Sequence, residues 1–343
     1  MKDRTVIAVD IAKNIFEYVK FENDVQLGKT KRIKRIQFIK LIASKECRYK
    51  FVMEACSGAQ HWARLAKKYG HRAVLIHPKL VAGYRHGQKT DANDAFAIYE
   101  ASKRPKLKES VQKTVEQQGL SALESVRSHY QNRKKRLSNA MRGHLAEFGI
   151  VMPKGYKTLR NQIPRILEDA ENDLPMTIRI ALNEYWNDWL HANQTVLKLA
   201  KQIMAELRQS ATAMELLKIE GIGPVVASGL ICVLGDGSAF NRGKEAAAYI
   251  GTSPKQHSSG DKRKIGGISK TTGHKTLRSA LIQGARSIIQ ILMARGKPSS
   301  EKERWLLQLI ERQGENRAAV ALANKNVRTA WAIIAHQRQY IAA

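Results

Sequence analysis

The sequence is poor in cysteine, in aromatic residues and in long apolar stretches. Its three cysteines, Cys47, Cys56 and Cys232, are too few for a disulfide framework and too widely spaced for a CxxC zinc motif. Phe, Trp and Tyr make up 6% of the residues, which argues against a single-strand binder built on exposed stacking rings. The longest nearly apolar run, residues 225–234, is about half the length that a membrane-spanning helix needs. Asp10 falls where a signal peptide needs an apolar stretch, so we expect a cytoplasmic protein.

Acidic residues are scarce as well. There are 30 Asp and Glu against 59 Lys and Arg, so the formal net charge is +29. A compact chain with such an excess repels itself, and the excess is usually neutralised in use by a polyanion. We therefore expect nucleic acid as the partner, bound through its phosphates. The 343 residues are enough for two domains, or for two domains and a helical connector.

The first hundred residues alternate between strand and helix patterns. The order is βββαβαβα, with strands over 4–10, 15–21, 29–36, 51–53 and 73–76 and helices from residue 37, around 61–68 and from residue 91. Three leading strands followed by alternating helices and strands predict an α/β fold. We expect a mixed sheet with helices packed on it, as in the ribonuclease-H-like (RuvC-like) architecture.

Strand patterns disappear after residue 106. Long helical patterns predict an antiparallel helical connector over 107–212, broken near residues 152–155, Pro164 and Pro175. It contains a basic run that is either a solvated face or a phosphate contact, Arg133, Lys134, Lys135 and Arg136. Residues 213–343 predict a mainly helical C-terminal domain. The expected division is therefore 1–106, 107–212 and 213–343.

Four carboxylates form the first candidate site. Asp10 and Glu54 close predicted strands, while Asp91 and Asp94 open a predicted helix three residues apart and so share one helix face. Carboxylates packed together repel one another unless a cation lies between them. Mg²⁺ prefers oxygen ligands, and Mn²⁺ accepts them too, so the four acids predict a metal site for phosphodiester chemistry. Singly, each acid also fits an ordinary role, such as a helix N-cap for Asp91.

A second pattern lies in IEGIGPVVASGLI, residues 219–231. A helix, a turn at Gly221 and Gly223 and a further helix resemble a helix-hairpin-helix element, which binds phosphate through turn amides and a helix N-terminus. A packing corner between two helices explains the pattern almost as well.

The third pattern is the basic stretch over 255–278. Its cations are opposed only by Asp261, and they are Lys255, Lys262, Arg263, Lys264, Lys270, Lys275 and Arg278. Ser258 and Ser259 precede Gly260 in what we predict to be a flexible loop. The cations can hold a phosphate there and activate a hydroxyl nucleophile. Serines are common in glycine-rich loops, so the pattern alone assigns no nucleophile.

In this order, the three patterns resemble the insertion-sequence 110 family of transposases, the bridge-RNA-guided recombinases. VIAVDIAK around Asp10, VMEACSG around Glu54 and KTDANDA with Asp91 and Asp94 match the DEDD motif of the family's RuvC-like domain. Residues 219–278, with EGIGPVVAS, AAAYIG, SSG, GGISK and LR, resemble its C-terminal transposase domain. HSSG and GGISK are most similar to the subgroup with subterminal inverted repeats. SKTTGHKTLR is one residue longer than the family pattern between its lysine and glycine.

The resemblance implies a mechanism. The family's nucleophile is a serine before a glycine, which carries over to Ser259, with the adjacent Ser258 as the less favoured candidate. The metal held by the four acids polarises the scissile phosphate and helps deprotonate the serine. The resulting 5′-phosphoserine leaves a 3′-hydroxyl and allows rejoining without ATP.

The resemblance also implies partners. A noncoding bridge RNA pairs with donor and target DNA and selects the sites. The DEDD domain of one subunit works with the serine domain of another, while the connector pairs subunits as a coiled coil in dimers that assemble into a tetramer. The expected location is the nucleoid of a prokaryote.

Two other functions stay open. The four acids also suit a metal-dependent, Holliday-junction-type endonuclease that uses water, with Ser259 only structural. The chain could also be an inactive nucleic-acid-binding remnant, although the presence of all four acids and the serine argues against it. Hydrolysis leaves free DNA ends, whereas serine attack leaves protein on the DNA.

Overall fold

The computed structural model describes residues 5–44, 47–85, 91–105, 107–259, 262–269, 271 and 273–341. These residues form two compact units. The first contains the described residues up to Glu116 together with Val233–Asn241, and the second contains Gln117–Cys232 and the described residues from Arg242 onward. The boundaries predicted at residues 106 and 212 do not coincide with this division into two units. The three-part division stays a prediction.

The first unit is a mixed sheet with helices. Its elements are β1 (Thr5–Ile11), β2 (Ile15–Glu22), β3 (Val25–Gln26), β4 (Lys31–Lys34), α1 (Arg35–Ala43), β5 (Tyr49–Glu54), α2 (Ala59–Lys68), β6 (Arg72–Ile76), α3 (Pro78–Ala82) and α4 (Asp91–Ser102). The strand order is β3-β2-β1-β5-β6, and β4 also pairs with β2. β1 is antiparallel to β2 and parallel to β5, and β5 is parallel to β6. The predicted mixed sheet is confirmed, with β3 as an additional short strand.

Both faces of this sheet are covered because its central strands are apolar on both sides. Successive side chains of a strand point to opposite faces. In β1, Ile7 and Val9 pack with Trp62 of α2 on one face, whereas Ala8 packs with Ile98 of α4 on the other. A fully buried side chain of the size of Ile7 contributes about 1.5–3 kcal/mol to the free energy of unfolding. The sheet is therefore held between α1 and α2 on one face and α3 and α4 on the other.

The second unit is mainly helical. Its elements are α5 (Val115–Glu147), which starts in the first unit, α6 (Tyr156–Glu168), α7 (Met176–Arg208), α8 (Ala211–Leu217), α9 (Pro224–Leu234), which ends in the first unit, α10 (Gly243–Ile250), β7 (Pro254–Ser259), β8 (Lys262–Ile268), α11 (Lys275–Arg295), α12 (Glu301–Gln313) and α13 (Glu315–His336). Helices end near the predicted breaks at 152–155 and Pro175. The break predicted at Pro164 is wrong, because α6 continues through this residue. Leu159 and Ile163 of α6 are fully buried and hold the helix in place.

The long helices α5 and α7 run antiparallel, as predicted. Arg133 of α5 pairs with Asp188 of α7 at 2.6 Å, and farther along α5 the ring of His144 stacks on Tyr185 at 5.7 Å. Residues later in α5 thus contact residues earlier in α7, as in an antiparallel pair. Within the described part of the chain, no helix is long and apolar enough to cross a membrane.

The basic run of α5 is not one continuous solvated face. Lys135 and Arg136 are exposed, but Lys134 is buried. Its ammonium donates a hydrogen bond to Asn193 Oδ1 at 3.0 Å and lies 4.4 Å from the centre of the Tyr156 ring. Burial lowers the pKa of Lys134 because the charged form loses hydration. Lys134 therefore belongs to the helical core, which corrects its assignment to a phosphate-binding surface.

We predict that Lys134→Glu and Lys135→Glu have different effects. The first places a negative charge against an aromatic ring and an acceptor oxygen, and it should lower the free energy of unfolding by about 3 kcal/mol or more. The second changes an exposed site, and it should stay within about 0.5 kcal/mol. Urea unfolding measures both. Equal losses would contradict the internal role of Lys134.

Candidate active site

Asp10 and Glu54 lie next to each other at one edge of the sheet. β1 and β5 are parallel, and Val9 pairs with Met53, so the residues that follow them are in register. Ile7, Val9 and Met53 all face α1 and α2. Because side chains alternate, Asp10 and Glu54 both face the side of the sheet that α4 covers. The parallel pairing alone therefore brings these two carboxylates together.

The Cys56 thiol lies within electrostatic reach of both carboxylates. Cys56 is half-buried just beyond β5. Burial raises the pKa of its thiol, and the negative charges of Glu54 and Asp10 raise it further. Two carboxylates therefore act on the same group at this edge. Their negative potential is the feature that a cation would neutralise.

α4, which carries the remaining two acids, covers the face of the sheet toward which Asp10 and Glu54 point. It packs against β1, β2 and β5, and Asp91 is its first residue. Asp94 is buried, and its carboxylate is ion-paired with the Arg85 guanidinium. Both partners are largely shielded from solvent, with side chains 26% (Arg85) and 11% (Asp94) exposed. The side chain of Asp91 lies outside the described part of the structure.

The donor chemistry of this edge fits a divalent cation. Asp10 and Glu54 offer only hard carboxylate oxygens, which Mg²⁺ and Mn²⁺ accept. Among the described side chains, no group of three or more His, Cys, Asp or Glu residues is arranged to hold a metal ion. Asp94 is instead satisfied by Arg85. The described residues thus provide two adjacent carboxylates that could act as ligands, while the carboxylate of Asp94 is held by an arginine.

Two residues of this site were missed in the sequence. Glu17 of β2 pairs directly with Asp10 across the sheet, and its carboxylate lies 3.8 Å from the guanidinium of Arg32. Arg85 is the partner of Asp94. Period-two alternation in β2 places Glu17 on one face of that strand, but its register with Asp10 depends on the turn. No local pattern distinguishes Arg85 from the other cations of the chain.

The Gly221–Gly223 turn lies between α8 and α9. Gly221 has a positive φ of 84°, and a Cβ atom added there would lie 3.1 Å from the carbonyl group of Gly284 in α11. This close approach accounts for Gly221 by packing. Gly223 is exposed at the start of α9. The turn therefore combines a packing corner with an accessible helix N-terminus.

Glu220 ties this turn to the end of the chain. Its carboxylate accepts hydrogen bonds from Lys302 Nζ at 2.6 Å and from the Tyr340 hydroxyl at 2.8 Å. Its backbone carbonyl accepts a hydrogen bond from Asn326 at 2.8 Å. Burial alone would raise the pKa of Glu220, but the bonds from Lys302 and Tyr340 outweigh it and lower the pKa. The turn is held by three separate elements.

The candidate nucleophiles lie in a hairpin. The prediction of a flexible loop around these serines is wrong, because β7 and β8 form an antiparallel pair. In this pair Ser259 is opposite Lys262, and Ser258 is opposite Arg263. Alternation between polar and apolar residues is too weak in this stretch to show strands. Ser259 is exposed. The side chains of Ser258, Lys262, Arg263 and Lys264 lie outside the described part.

The other cations of this stretch differ in exposure. Lys255 and Lys275 are exposed, as a phosphate contact requires. Arg278 is buried in the first turn of α11, which corrects its placement on the binding surface. Lys270 lies outside the described residues.

Comparison with known proteins identifies the family of the chain. A DEDD transposase model for IS110 elements matches residues 5–150, and the model of the transposase IS116/IS110/IS902 family matches residues 213–301. The first match includes all four acids, and the second includes Gly221 and Ser259. Both halves of the predicted resemblance are thus found.

Similar proteins extend along almost the whole chain. The transposase for insertion sequence element IS1111A of Coxiella burnetii is 36% identical over 99% of this chain and 92% of its own length. The transposase for insertion sequence element IS1328 of Yersinia enterocolitica is 34% identical, over 97% of each. A pilin gene-inverting protein of Moraxella lacunata is 25% identical, over 98% of each. The chain belongs to the IS110 family of insertion-sequence transposases, enzymes that recombine DNA.

Proposed function

We propose that this transposase cuts and rejoins donor and target DNA through a covalent 5′-phosphoserine on Ser259, in a reaction that depends on Mg²⁺ or Mn²⁺ at Asp10, Glu54, Asp91 and Asp94. The observation that carries the proposal is the parallel register of β1 and β5. It brings two carboxylates side by side at the ends of neighbouring strands. Adjacent carboxylate oxygens are ligands that Mg²⁺ and Mn²⁺ accept.

The residues of the chain divide the chemistry between them. Asp10 and Glu54 would hold a divalent cation through their carboxylate oxygens, and Asp94 would add a third oxygen ligand if it left its ion pair with Arg85. A divalent metal held there would polarise the scissile phosphate and stabilise the charge on the leaving oxygen. Ser259 Oγ attacks the phosphorus, the bond to the 3′-oxygen breaks, and this oxygen takes up a proton as a 3′-hydroxyl.

The exposed hairpin suits Ser259 as the nucleophile. Its position at the end of β7 leaves the hydroxyl open to a DNA strand. Its register neighbour is Lys262, and positive charge stabilises the oxyanion that forms on attack. The pilin gene-inverting relative supports strand exchange over hydrolysis, because inverting a gene requires rejoined strands and not only cut ones.

The charge of the chain supports guidance by RNA. A net charge of +29 favours recognition of nucleic-acid backbones over reading of base edges. A noncoding bridge RNA that pairs with donor and target DNA would supply the sequence specificity. Lys255, Lys275, Lys135, Arg136 and the start of α9 at Gly223 are the exposed groups proposed for backbone contacts.

α7 offers a surface for pairing with a second copy. Positions 176, 180, 183, 187, 190, 194 and 197 are all exposed and follow the alternating spacing of four and three residues that is typical of coiled-coil seams. Four of them are apolar: Met176, Ile180, Leu190 and Leu197. We call these seven positions the α7 stripe. It supports the proposed dimers, which would assemble into a tetramer around two DNA duplexes.

The nucleophile can be identified on a denaturing gel. Protein purified with its RNA, mixed with Mg²⁺ and labelled DNA, should form a covalent protein–DNA band. Ser259→Ala and Asp10→Ala should each abolish this band, whereas Ser258→Ala should retain it. Free nicked ends without an adduct, unchanged in Ser259→Ala, would show a water-using endonuclease instead.

The ion pair of Asp94 can be tested by stability. In EDTA, Arg85→Ala leaves a buried carboxylate without its partner and should lower the free energy of unfolding by about 2–3 kcal/mol. Mg²⁺ should restore part of this loss if Asp94 is a ligand. Arg72→Ala is the control, because Arg72 and Glu109 form an exposed pair at 3.0 Å that contributes at most about 1 kcal/mol. A loss in Arg85→Ala that Mg²⁺ leaves unchanged would contradict the assignment.

The α7 stripe can be tested by light scattering. Wild-type protein should be a dimer or larger, and Leu190→Asp with Leu197→Asp should give monomers, because charges in a seam oppose pairing. Ala181→Asp, on the exposed flank of α7, should leave the mass unchanged. A monomeric wild type, or equal masses in all three proteins, would contradict the proposal.

A further inference from the structure

The segment over residues 29–40 is strongly basic, although it is outside all three sequence patterns. It contains six cations and no acidic residue, namely Lys29, Lys31, Arg32, Lys34, Arg35 and Lys40. All six are exposed. The segment covers β4 and the start of α1, so its backbone is held by the sheet. We call it the β4–α1 segment.

The end of β4 lies at the same edge of the sheet as the carboxylates. β4 is antiparallel to β2, and β2 is antiparallel to β1, so β4 runs in the same direction as β1. Lys34 pairs with Ile15, just after the turn that follows β1. The backbone N–H of Arg35 donates a hydrogen bond to the Asn14 carbonyl in this turn, at 3.1 Å. Lys34 and Arg35 therefore share an edge with Asp10. Because side chains alternate and Ile33 packs on the side of α1 and α2, Lys34 belongs to the face of Asp10. Arg35, in contrast, lies against Trp62 on the other face.

Arg35 is held in place by an aromatic ring. Its guanidinium carbon lies 4.7 Å from the centre of the Trp62 ring. Trp62 is itself only 2% exposed and is fixed by the rings of Phe16 and Phe38, each 5.0 Å away between centres. A guanidinium that rests on a ring keeps its N–H groups free at its edge. It is thus prearranged for the two parallel hydrogen bonds that a phosphate accepts.

Arg35 differs from the arginines that hold the fold. Arg85, Arg127 and Arg133 each have a carboxylate partner. Within the described ranges, no carboxylate is within ion-pairing distance of Lys34 or Arg35. The resulting positive potential also reaches α2, where burial, and then the charges of Arg35 and Arg64, lower the pKa of His61.

We propose that Lys34 and Arg35, supported by Trp62, bind the phosphodiester backbone of the nucleic acid that enters the carboxylate edge. The contact positions the strand whose neighbouring phosphate reaches Asp10 and Glu54. The assignment of that phosphate as the reacting one rests on the proposed function. The backbone contact does not, since it requires only exposed and unpaired cations. Either DNA or RNA can supply this chemistry.

The test compares variants at the two ends of the sheet. Arg35→Ala, Arg35→Gln and Lys34→Ala are matched with Arg104→Ala, an exposed arginine beyond the end of α4 at the opposite edge. The full-length protein is titrated with a DNA duplex and with an RNA hairpin, in EDTA, at several salt concentrations. Arg35→Gln keeps a flat polar group on Trp62 and removes the charge. If Arg35→Ala does not fold, the binding of Arg35→Gln is the result that tests the proposal.

We expect Arg35→Ala and Arg35→Gln to weaken binding about tenfold and to reduce the slope of log affinity against log salt by about 1. Arg104→Ala should stay within about twofold of wild type. A loss with only one probe identifies DNA or RNA as the ligand, and a loss with both shows contact with either backbone. The proposal would be overturned if the Arg35 variants bound the DNA duplex and the RNA hairpin with the same affinity as Arg104→Ala.

The Mg²⁺-dependent adduct separates the two proposals. If wild type forms no covalent adduct but the Arg35 variants still lose binding, the serine mechanism fails and the contact stands. If wild type forms the adduct and the Arg35 variants bind and react normally, the contact fails and the mechanism stands.

Discussion

The parallel pairing of β1 with β5 is the constraint on which the acidic site depends. Register and alternation place Asp10 and Glu54 side by side on the face under α4. This pairing is held by apolar layers on both faces of the sheet. In these two strands the layers are formed by the fully buried Ile7, Ala8, Val9, Phe51, Val52 and Met53. The two carboxylates are thus held in position by the residues that precede them.

The large positive charge limits how the fold can use its acids. With 59 basic and 30 acidic residues, at least 29 cations have no acid of their own. Some of the acids hold arginines of the fold in place, as at Arg85 and Arg133. Exposed cations without an acidic partner are therefore a better guide to a polyanion-binding surface than consecutive basic residues in the sequence. Lys134 lies in a run yet faces the core, whereas Arg35 is exposed and has no carboxylate partner among the residues that the structure describes.

The strands of the first unit could be predicted because their signal is local. A strand buried on both faces is a continuous apolar run, and VIAV in β1 and FVM in β5 are such runs. The β7–β8 hairpin lacks this signal, since its residues are mostly polar on both strands. Pro164 was expected to end a helix, but packing of Leu159 and Ile163 outweighs the lost hydrogen bond. Glu17 and Arg85 could not be found, because their partners are set by register and tertiary packing.

The chain path links the acidic unit to the later part of the sequence. Val233–Asn241 packs with the first unit although it follows α9 of the second. Gly235 has a positive φ and lies so close to Val111 that a side chain there would overlap it. The Asp236 carboxylate accepts hydrogen bonds from Ser238, which lower its pKa first, and the charge of Lys67 on α2 lowers it as well. The unit that carries Asp10 and Glu54 is therefore completed by a segment that ends only eighteen residues before Ser259, so the acidic unit draws on both parts of the chain.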